Sequence, residues 1–135
     1  MQYMGSKNRL AKELVPIIQS YITEKTKGYL EPFVGGANMI DKISCDKEYG
    51  CDLNEYLIEL LKYSTEHELP ETITEEEYCR VKSNREEYDK WYVGLIGFCG
   101  SYGAKFFDTY ARGNDNRDRQ SEAIRNIKKQ ASNLK

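Results

Sequence analysis

Apolar residues recur three or four positions apart in five stretches of the chain, which predicts five amphipathic helices. The first spans 7–21, with Ser6 as a candidate N-cap and Pro16 as a candidate kink or early end. The remaining helices are predicted at 55–63, 74–84, 88–97 and 121–134, with a polar loop at 114–119 before the last.

Two short runs have the pattern of strands rather than helices. The run at 29–34 is β-prone and apolar, predicts a short buried strand, and ends at the pair Gly35 and Gly36, after which a short helix should follow. A second strand at 47–51 precedes the helix at 55–63. Two consecutive strand–helix units predict adjacent parallel strands of an open α/β sheet.

The two turns after these strands are candidates for chemistry, because open α/β sheets bind ligands at the carboxyl ends of their strands. A glycine pair there leaves bare backbone N–H groups and room for close approach. Asp52 follows Glu31 by about twenty residues and is well placed to accept hydrogen bonds from ribose hydroxyls. The alternative for Asp52 is a helix N-cap, since a helix follows directly. We favour ligand binding, given the glycine loop at this spacing.

Charge is unevenly distributed along a chain whose net charge is −2. Residues 1–27 carry a net charge of +3, residues 28–99 carry −9, and residues 100–135 carry +4. A polyanion could therefore meet the two ends of the chain, provided that they lie together in space. Ordinary solvated surface charge explains the same pattern equally well.

The length of 135 residues suits one domain with its own core. The cysteines, Cys45, Cys51, Cys79 and Cys99, form no C-x-x-C pair and have only His67 as a histidine partner, so a metal site and a disulfide framework are poorly supported. Reduced thiols fit a cytoplasmic protein best. The N-terminus is too polar for a signal peptide, and no apolar run is long enough to span a membrane.

The segment 97–113 mixes glycines, aromatic residues and two basic residues without periodicity. Its aromatic rings beside Lys105 and Arg112 could stack a displaced base and hold phosphate. A core-filling loop is the alternative, and the residues alone favour neither.

Three motifs, Tyr3-Met-Gly-Ser-Lys7, Glu31-Pro-Phe-Val-Gly-Gly-Ala-Asn38 and Asp52-Leu-Asn54, resemble in order and spacing the opening motifs of the Dam-like DNA adenine methyltransferases. The segment 97–113 is similar to the glycine-aromatic stretch of short, phage-type members. The resemblance covers nearly the whole chain.

This resemblance implies a Rossmann-like methyltransferase fold that binds S-adenosylmethionine and methylates the exocyclic N6 amine of adenine in DNA. The implied cofactor-binding residues are Tyr3, Met4, Gly5, Lys7, Glu31, Phe33, Gly35, Gly36, Ala37, Asn38, Asp52 and Asn54. The implied DNA-binding residues are Tyr102, Lys105, Arg112, Arg117 and Arg119. Lys7 would meet the methionine end of the cofactor and Asp52 the ribose; by itself, Lys7 reads as a solvated lysine in the first helical turn.

The family's catalytic Asp-Pro-Pro-Tyr motif is absent from the sequence, whose prolines are Pro16, Pro32 and Pro70. We therefore expect one incomplete α/β domain, the N-terminal part of a methyltransferase, and no methyl transfer by this chain alone. Residues 1–63 would bind the cofactor, 64–120 would replace a target-recognition region, and 121–135 would lead to a missing catalytic strand.

An incomplete sheet exposes an edge or an apolar face, so self-association is expected. Two other functions compete with the methyltransferase reading. One is a noncatalytic nucleic-acid-binding or assembly module derived from the fold, and the other is a Rossmann-like enzyme that methylates a small molecule.

Overall fold

The computed structural model describes residues 1–113 and 116–134, so positions 114 and 115 of the predicted polar loop and the last residue of the C-terminal segment lie outside the described residues. Its elements are α1 (Asn8–Tyr21), β1 (Tyr29–Glu31), β2 (Glu48–Gly50), α2 (Glu55–Glu66), α3 (Glu75–Ser83), α4 (Lys90–Cys99) and α5 (Arg119–Leu134). Short 3-10 helices lie at Ile40–Lys42, Arg85–Glu87 and Tyr102–Ala104. All five predicted helices are confirmed to within a few residues at each end.

The strands β1 and β2 pair in parallel, with Tyr29 opposite Glu48 and Glu31 opposite Gly50. This confirms the prediction of adjacent parallel strands. Within the described residues the sheet consists of these two strands, so the fold is a mixed one of helices around a small parallel sheet, compatible with part of a methyltransferase.

The first strand is shorter and less buried than the pattern predicts. It ends at Glu31 because Pro32 has no N–H to donate to the ladder, and the apolar side chains of Leu30 and Phe33 are 59% and 74% exposed. The prediction of a buried run over 29–34 is therefore wrong for these two positions.

The helix predicted directly after the glycine pair is also wrong. Gly35 and Ala37 both have positive φ angles, which a right-handed helix cannot contain. The chain forms only the 3-10 turn Ile40–Lys42 before β2.

The first helix begins one residue later than Ser6 would set it. Lys7 occupies the N-cap position, and the Ser6 hydroxyl accepts a hydrogen bond from the Asn8 N–H at 3.2 Å without capping in the usual position. Pro16 removes one backbone donor, yet the helix continues to Tyr21. The early end considered from the sequence is therefore wrong.

The core lies where α2, α4 and α5 pack together. Gly94 on α4 lets that helix approach α2 closely, because a Cβ there would lie 2.4 Å from the Tyr56 carbonyl oxygen. Several large core side chains are almost fully buried: Leu57, Leu60, Ile73, Val81, Val93, Leu95, Ile96, Ile124 and Ile127. This packing fixes α5 beside the sheet, with its last turns under the glycine loop.

The first helix is peripheral. Ala11 is its one buried residue, whereas Leu10, Ile17 and Tyr21 are 53%, 56% and 80% exposed. Within the described ranges no helix is long and apolar enough to cross a membrane.

Candidate functional site

The glycine loop and Asp52 meet at the carboxyl edge of the sheet. Beyond the strands, the two segments of the chain stay paired. The Cys51 N–H donates to the Glu31 carbonyl oxygen at 2.9 Å, and the Val34 N–H donates to the Cys51 carbonyl oxygen at 2.8 Å. The Gly35 N–H then donates to Asp52 Oδ2 at 3.0 Å. Two turns predicted from separate parts of the sequence therefore form one surface.

Several residues of the turns around this edge are open to solvent. Phe33 and Leu53, on the two turns, are 74% and 99% exposed. Met4 and Gly5, on the loop before α1, are also exposed. A ligand can therefore reach the exposed turn residues from outside.

Gly35, Gly36 and Ala37 are themselves buried, with the Tyr3 ring beside Gly35 and the Met1 carbonyl oxygen beside Gly36. The expectation that the glycine pair leaves room for a ligand is therefore wrong.

Asp52 joins the two turns, and the structure rules out its N-cap alternative. Its Oδ1 accepts from the Asn54 N–H and its Oδ2 from the Gly35 N–H, both at 3.0 Å. The N-cap of α2 is Asn54, whose side-chain oxygen accepts from the Leu57 N–H at 3.2 Å. Because each carboxylate oxygen has two lone pairs, the half-buried Asp52 carboxylate can still accept hydrogen bonds from a ligand.

The glycine loop has a strained, tightly packed backbone. Gly35 and Ala37 have φ angles of 52° and 57°, and for Ala37 the left-handed region is costly. Gly36 is required for packing instead, since a Cβ there would lie 2.6 Å from the Met1 carbonyl oxygen and 2.9 Å from Asn38 Nδ2. Strain of this kind concentrates at functional sites.

Lys7 and Glu31, both predicted in the site, form an ion pair beside the loop. Lys7 Nζ lies 3.0 Å from Glu31 Oε1 and also donates to the Phe33 carbonyl. Glu31 is 6% exposed, and its Oε2 is 3.5 Å from the Tyr29 hydroxyl. The ion pair offsets the burial of the carboxylate, although its geometry leaves Glu31 Oε1 without a hydrogen bond. Lys7 keeps ammonium hydrogens for another acceptor.

Tyr3 packs between the glycine loop and the helical core. The centroid of its ring lies 5.5 Å from that of Phe98. A Cβ added at Gly35 would lie 3.3 Å from the Tyr3 ring. Burial and the nearby Asp52 charge raise the pKa of Tyr3, while a hydrogen bond with Asn54 opposes the shift. Tyr3 is thus a neutral phenol next to the carboxylate.

A polar network lies under the loop and joins the two ends of the chain. The Met1 amino group donates to Gly36 O, Asn38 Oδ1 and Gln130 Oε1 at 2.9, 3.0 and 2.5 Å. Asn38 Nδ2 donates to Met1 O and to the Ser6 hydroxyl, both at 2.7 Å. The basic ends therefore lie together, as binding of a polyanion by both would require.

The Met1 amino group is largely buried, and burial lowers its pKa to about 6, against the opposing effect of Asp41. Gln130 was not among the predicted site residues. A polar residue on the apolar face of the last helix, three positions after Ile127, is the signal that could have identified it.

Three of the predicted DNA-binding residues line one cavity. Tyr102, Arg117 and Arg119 surround a volume of about 270 Å³, together with α5 residues including Glu122. Tyr102 is 60% exposed, and Arg117 forms an ion pair with Glu122 at 2.6 Å. The structure thus brings together a ring and two guanidinium groups from separate turns.

The other two predicted DNA-binding residues lie elsewhere. Arg112 pairs with Glu75 on α3, and Lys105 is exposed outside that cavity. Phe107 is 3% exposed and the Phe106 ring stacks on core aromatic rings, so these two side chains fill the core. For the phenylalanines, the core-filling alternative is confirmed.

Within residues 1–113 and 116–134, no group of His, Cys, Asp and Glu side chains could hold a metal ion. Cys45, Cys51, Cys79 and Cys99 are free thiols. Burial raises the pKa of the Cys99 thiol to about 12, so it is no nucleophile at neutral pH.

Comparison with known proteins gives one family. The family model described as D12 class N6 adenine-specific DNA methyltransferase matches residues 3–134. The type II methyltransferase M.FokI of Planomicrobium okeanokoites is 28% identical over 93 residues, which are 65% of this chain and 14% of that protein. The chain therefore spans about one seventh of the length of this curated relative. No solved structure shows a significant match.

Proposed function

The chain belongs to the D12 class of N6 adenine-specific DNA methyltransferases, and from this premise we propose that it is the part of such an enzyme that binds S-adenosylmethionine. The supporting observation is the hydrogen bond between the Gly35 N–H and Asp52 Oδ2 at 3.0 Å, which joins the glycine loop to the carboxylate at the carboxyl edge of the sheet. Ligands of open α/β sheets bind at such edges.

The residues at this edge fit the cofactor. Asp52 has free lone pairs for the ribose hydroxyls, and Phe33 and Leu53, on the same two turns, are exposed where a ligand could contact them. Lys7 keeps ammonium hydrogens for the cofactor's carboxylate, beside its ion pair with Glu31. When bound, S-adenosylmethionine supplies an electrophilic methyl group. The remaining predicted residues would line the methionine and adenine ends, in a Rossmann-like arrangement.

The proposed polyanionic partner is DNA. The cavity lined by Tyr102, Arg117 and Arg119 offers an exposed ring for stacking and cationic groups for phosphate. We propose that Lys105 and Arg112 contact phosphate groups outside this cavity. Arg112 would have to release its ion pair with Glu75 in order to bind phosphate. A role in phage or restriction–modification biology, in the cytoplasm, is part of the same proposal.

We further propose that residues 1–135 alone do not transfer the methyl group. The sequence contains no Asp-Pro-Pro-Tyr motif, whose polar groups would hold the target amine and whose ring would stack on the flipped base. Methylation of adenine by the purified chain alone would contradict this part of the proposal, whereas activity that appears on addition of a segment carrying the motif would support it.

Cofactor titration tests the leading proposal. Isothermal calorimetry should detect S-adenosylmethionine binding to the wild type and at least about tenfold weaker binding to Asp52→Ala, since a hydrogen bond to a charged group is worth roughly 1.5–3 kcal/mol. Asp46→Ala is the matched control, because Asp46 is an exposed acidic residue just before β2. Equal affinity in Asp52→Ala and wild type would refute the role of Asp52.

The cavity lined by Tyr102, Arg117 and Arg119 favours one second candidate, a noncatalytic nucleic-acid-binding or assembly module. It would bind DNA with strong salt dependence and would not bind S-adenosylmethionine. The same titration separates the two candidates.

Self-association is also proposed. The exposed apolar residues Leu10, Ile17, Leu30 and Tyr49 lie on α1 and the sheet, where a second copy could cover them.

A further inference from the structure

Gln130 on α5 reaches back 94 positions to the glycine loop. Its side chain is buried, with the residue only 6% exposed. Nε2 donates to the carbonyl oxygens of Gly36 and Ala37 at 3.0 and 2.8 Å. Both carbonyls belong to the loop that the proposed function assigns to the cofactor.

Nε2 has further, longer contacts. It lies 3.3 Å from Asn38 Oδ1 and 3.2 Å from Asp41 Oδ2, while Oε1 accepts from the Met1 amino group at 2.5 Å. An amide nitrogen has two hydrogens, and the two backbone carbonyls are the shortest acceptors. Gln130 is therefore chiefly a donor to the loop backbone.

The loop needs such support from outside. Ala37 has a φ of 57°, which an alanine adopts only where its surroundings impose it. The local turn bond from Ala37 N–H to Val34 O, at 2.9 Å, holds one side of this peptide. Gln130 holds the carbonyls on the other side.

The carbonyl directions decide where the loop amides point. A trans peptide keeps its C=O and the following N–H antiparallel, and the chain has no cis peptide bond among its described residues. Turning the Ala37 carbonyl towards α5 therefore turns the Asn38 N–H away from α5. The Asn38 N–H therefore faces away from the helix that Gln130 belongs to.

We propose that Gln130 is a positioning residue that sets the backbone of the cofactor loop at Gly36, Ala37 and Asn38. The proposal rests on the proposed function for its ligand, S-adenosylmethionine. The loop conformation itself can be measured without any ligand, so the two can fail separately.

The test variant is Gln130→Met, which keeps side-chain length and removes both donors. The matched control is Asn133→Leu, an equivalent amide-to-apolar change at an exposed position on the same helix. Amide hydrogen exchange, followed residue by residue by NMR, should quicken about tenfold or more in Gln130→Met at Ala37, whose N–H bonds the Val34 carbonyl oxygen, because two hydrogen bonds that support the loop are lost. Exchange in α2 should stay unchanged, and Asn133→Leu should behave as wild type.

Cofactor affinity gives the second readout. Calorimetric titration with S-adenosylmethionine should show about tenfold weaker binding to Gln130→Met, and no change for Asn133→Leu. Gln130→Glu distinguishes donation from space filling, because it keeps the shape but loses the donor. It should show the same rapid exchange as Gln130→Met.

Unchanged exchange at Ala37 in Gln130→Met would overturn the proposal. Wild-type protection in Gln130→Glu would also overturn it, since the side chain would then act by filling space. If the wild type binds no S-adenosylmethionine while exchange rises in both variants, the proposed function fails and the positioning role of Gln130 stands.

Discussion

Replacement of Gly36 by alanine tests the packing of the glycine loop against the first residues of the chain. The added Cβ would lie 2.6 Å from the Met1 carbonyl oxygen, 2.9 Å from Asn38 Nδ2 and 3.0 Å from Tyr3 Cβ. Cβ atoms essentially never approach another heavy atom to within 3.0 Å, so the backbone at Met1 or at Gly36 must move. The nearest atom is main chain and cannot rotate away.

The expected cost follows from this geometry. Inserting a methyl group into a well-packed site costs typically about 1–3 kcal/mol, and we expect roughly 2 kcal/mol here because the Met1 carbonyl is also an acceptor for Asn38 Nδ2. The displacement would loosen one hydrogen bond as well as the packing.

Gly5→Ala provides the comparison that separates packing from backbone conformation. Gly5 has a φ of 75° and nothing within 4 Å of the added Cβ, so its cost is conformational alone. Placing a residue with a Cβ in the left-handed region costs about 1–2 kcal/mol. Both substitutions are therefore destabilising, for different physical reasons.

Urea unfolding followed by circular dichroism measures both free energies of unfolding, with an unchanged m-value as evidence that the folded and unfolded states stay comparable. A change below about 0.5 kcal/mol in Gly36→Ala, the range of ordinary surface substitutions, would refute the reasoning. The loop would then not be packed against residues 1–3.

Two further predictions concern other parts of the fold. The Tyr92 hydroxyl donates to Glu77, and burial together with this bond raises the pKa of Tyr92 to about 12. Because the folded state favours the neutral phenol, the stabilisation from Tyr92 is complete below pH 10 and is lost as the pH rises towards 12. The difference in phenolate absorbance between wild type and Tyr92→Phe should therefore titrate late, and an ordinary midpoint near 10 would contradict this. Light scattering should show a mass that grows with concentration, reduced by the double variant Leu10→Lys and Ile17→Lys, because both side chains are more than half exposed on α1; a constant monomer mass would reject self-association.

The sequence predicted the edge of the sheet because its signals are local. A glycine pair after a β-prone run and an acidic residue after the second strand are readable without tertiary information. Parallel pairing then brings Gly35 and Asp52 together by topology alone, as the structure confirms.

Features that depend on distant contacts were not predictable in this way. Leu30 and Phe33 read as buried because they are apolar, yet no described element covers them. Arg112 read as a free cation, but α3 brings Glu75 to it across 37 positions. Gln130 contacts the loop only after α5 has packed on the core. The cofactor and DNA roles of the predicted residues stay predictions.

The contact between Gln130 and Gly36 has a consequence for biosynthesis. Residues 94 positions apart must both have left the ribosome before they can meet, so β1, β2 and the turns beyond them emerge long before their support. Contacts of such high sequence separation also form late and slowly during folding. In a nascent chain the strained peptide at Ala37 would therefore lack the support of Gln130 until α5 has been synthesised.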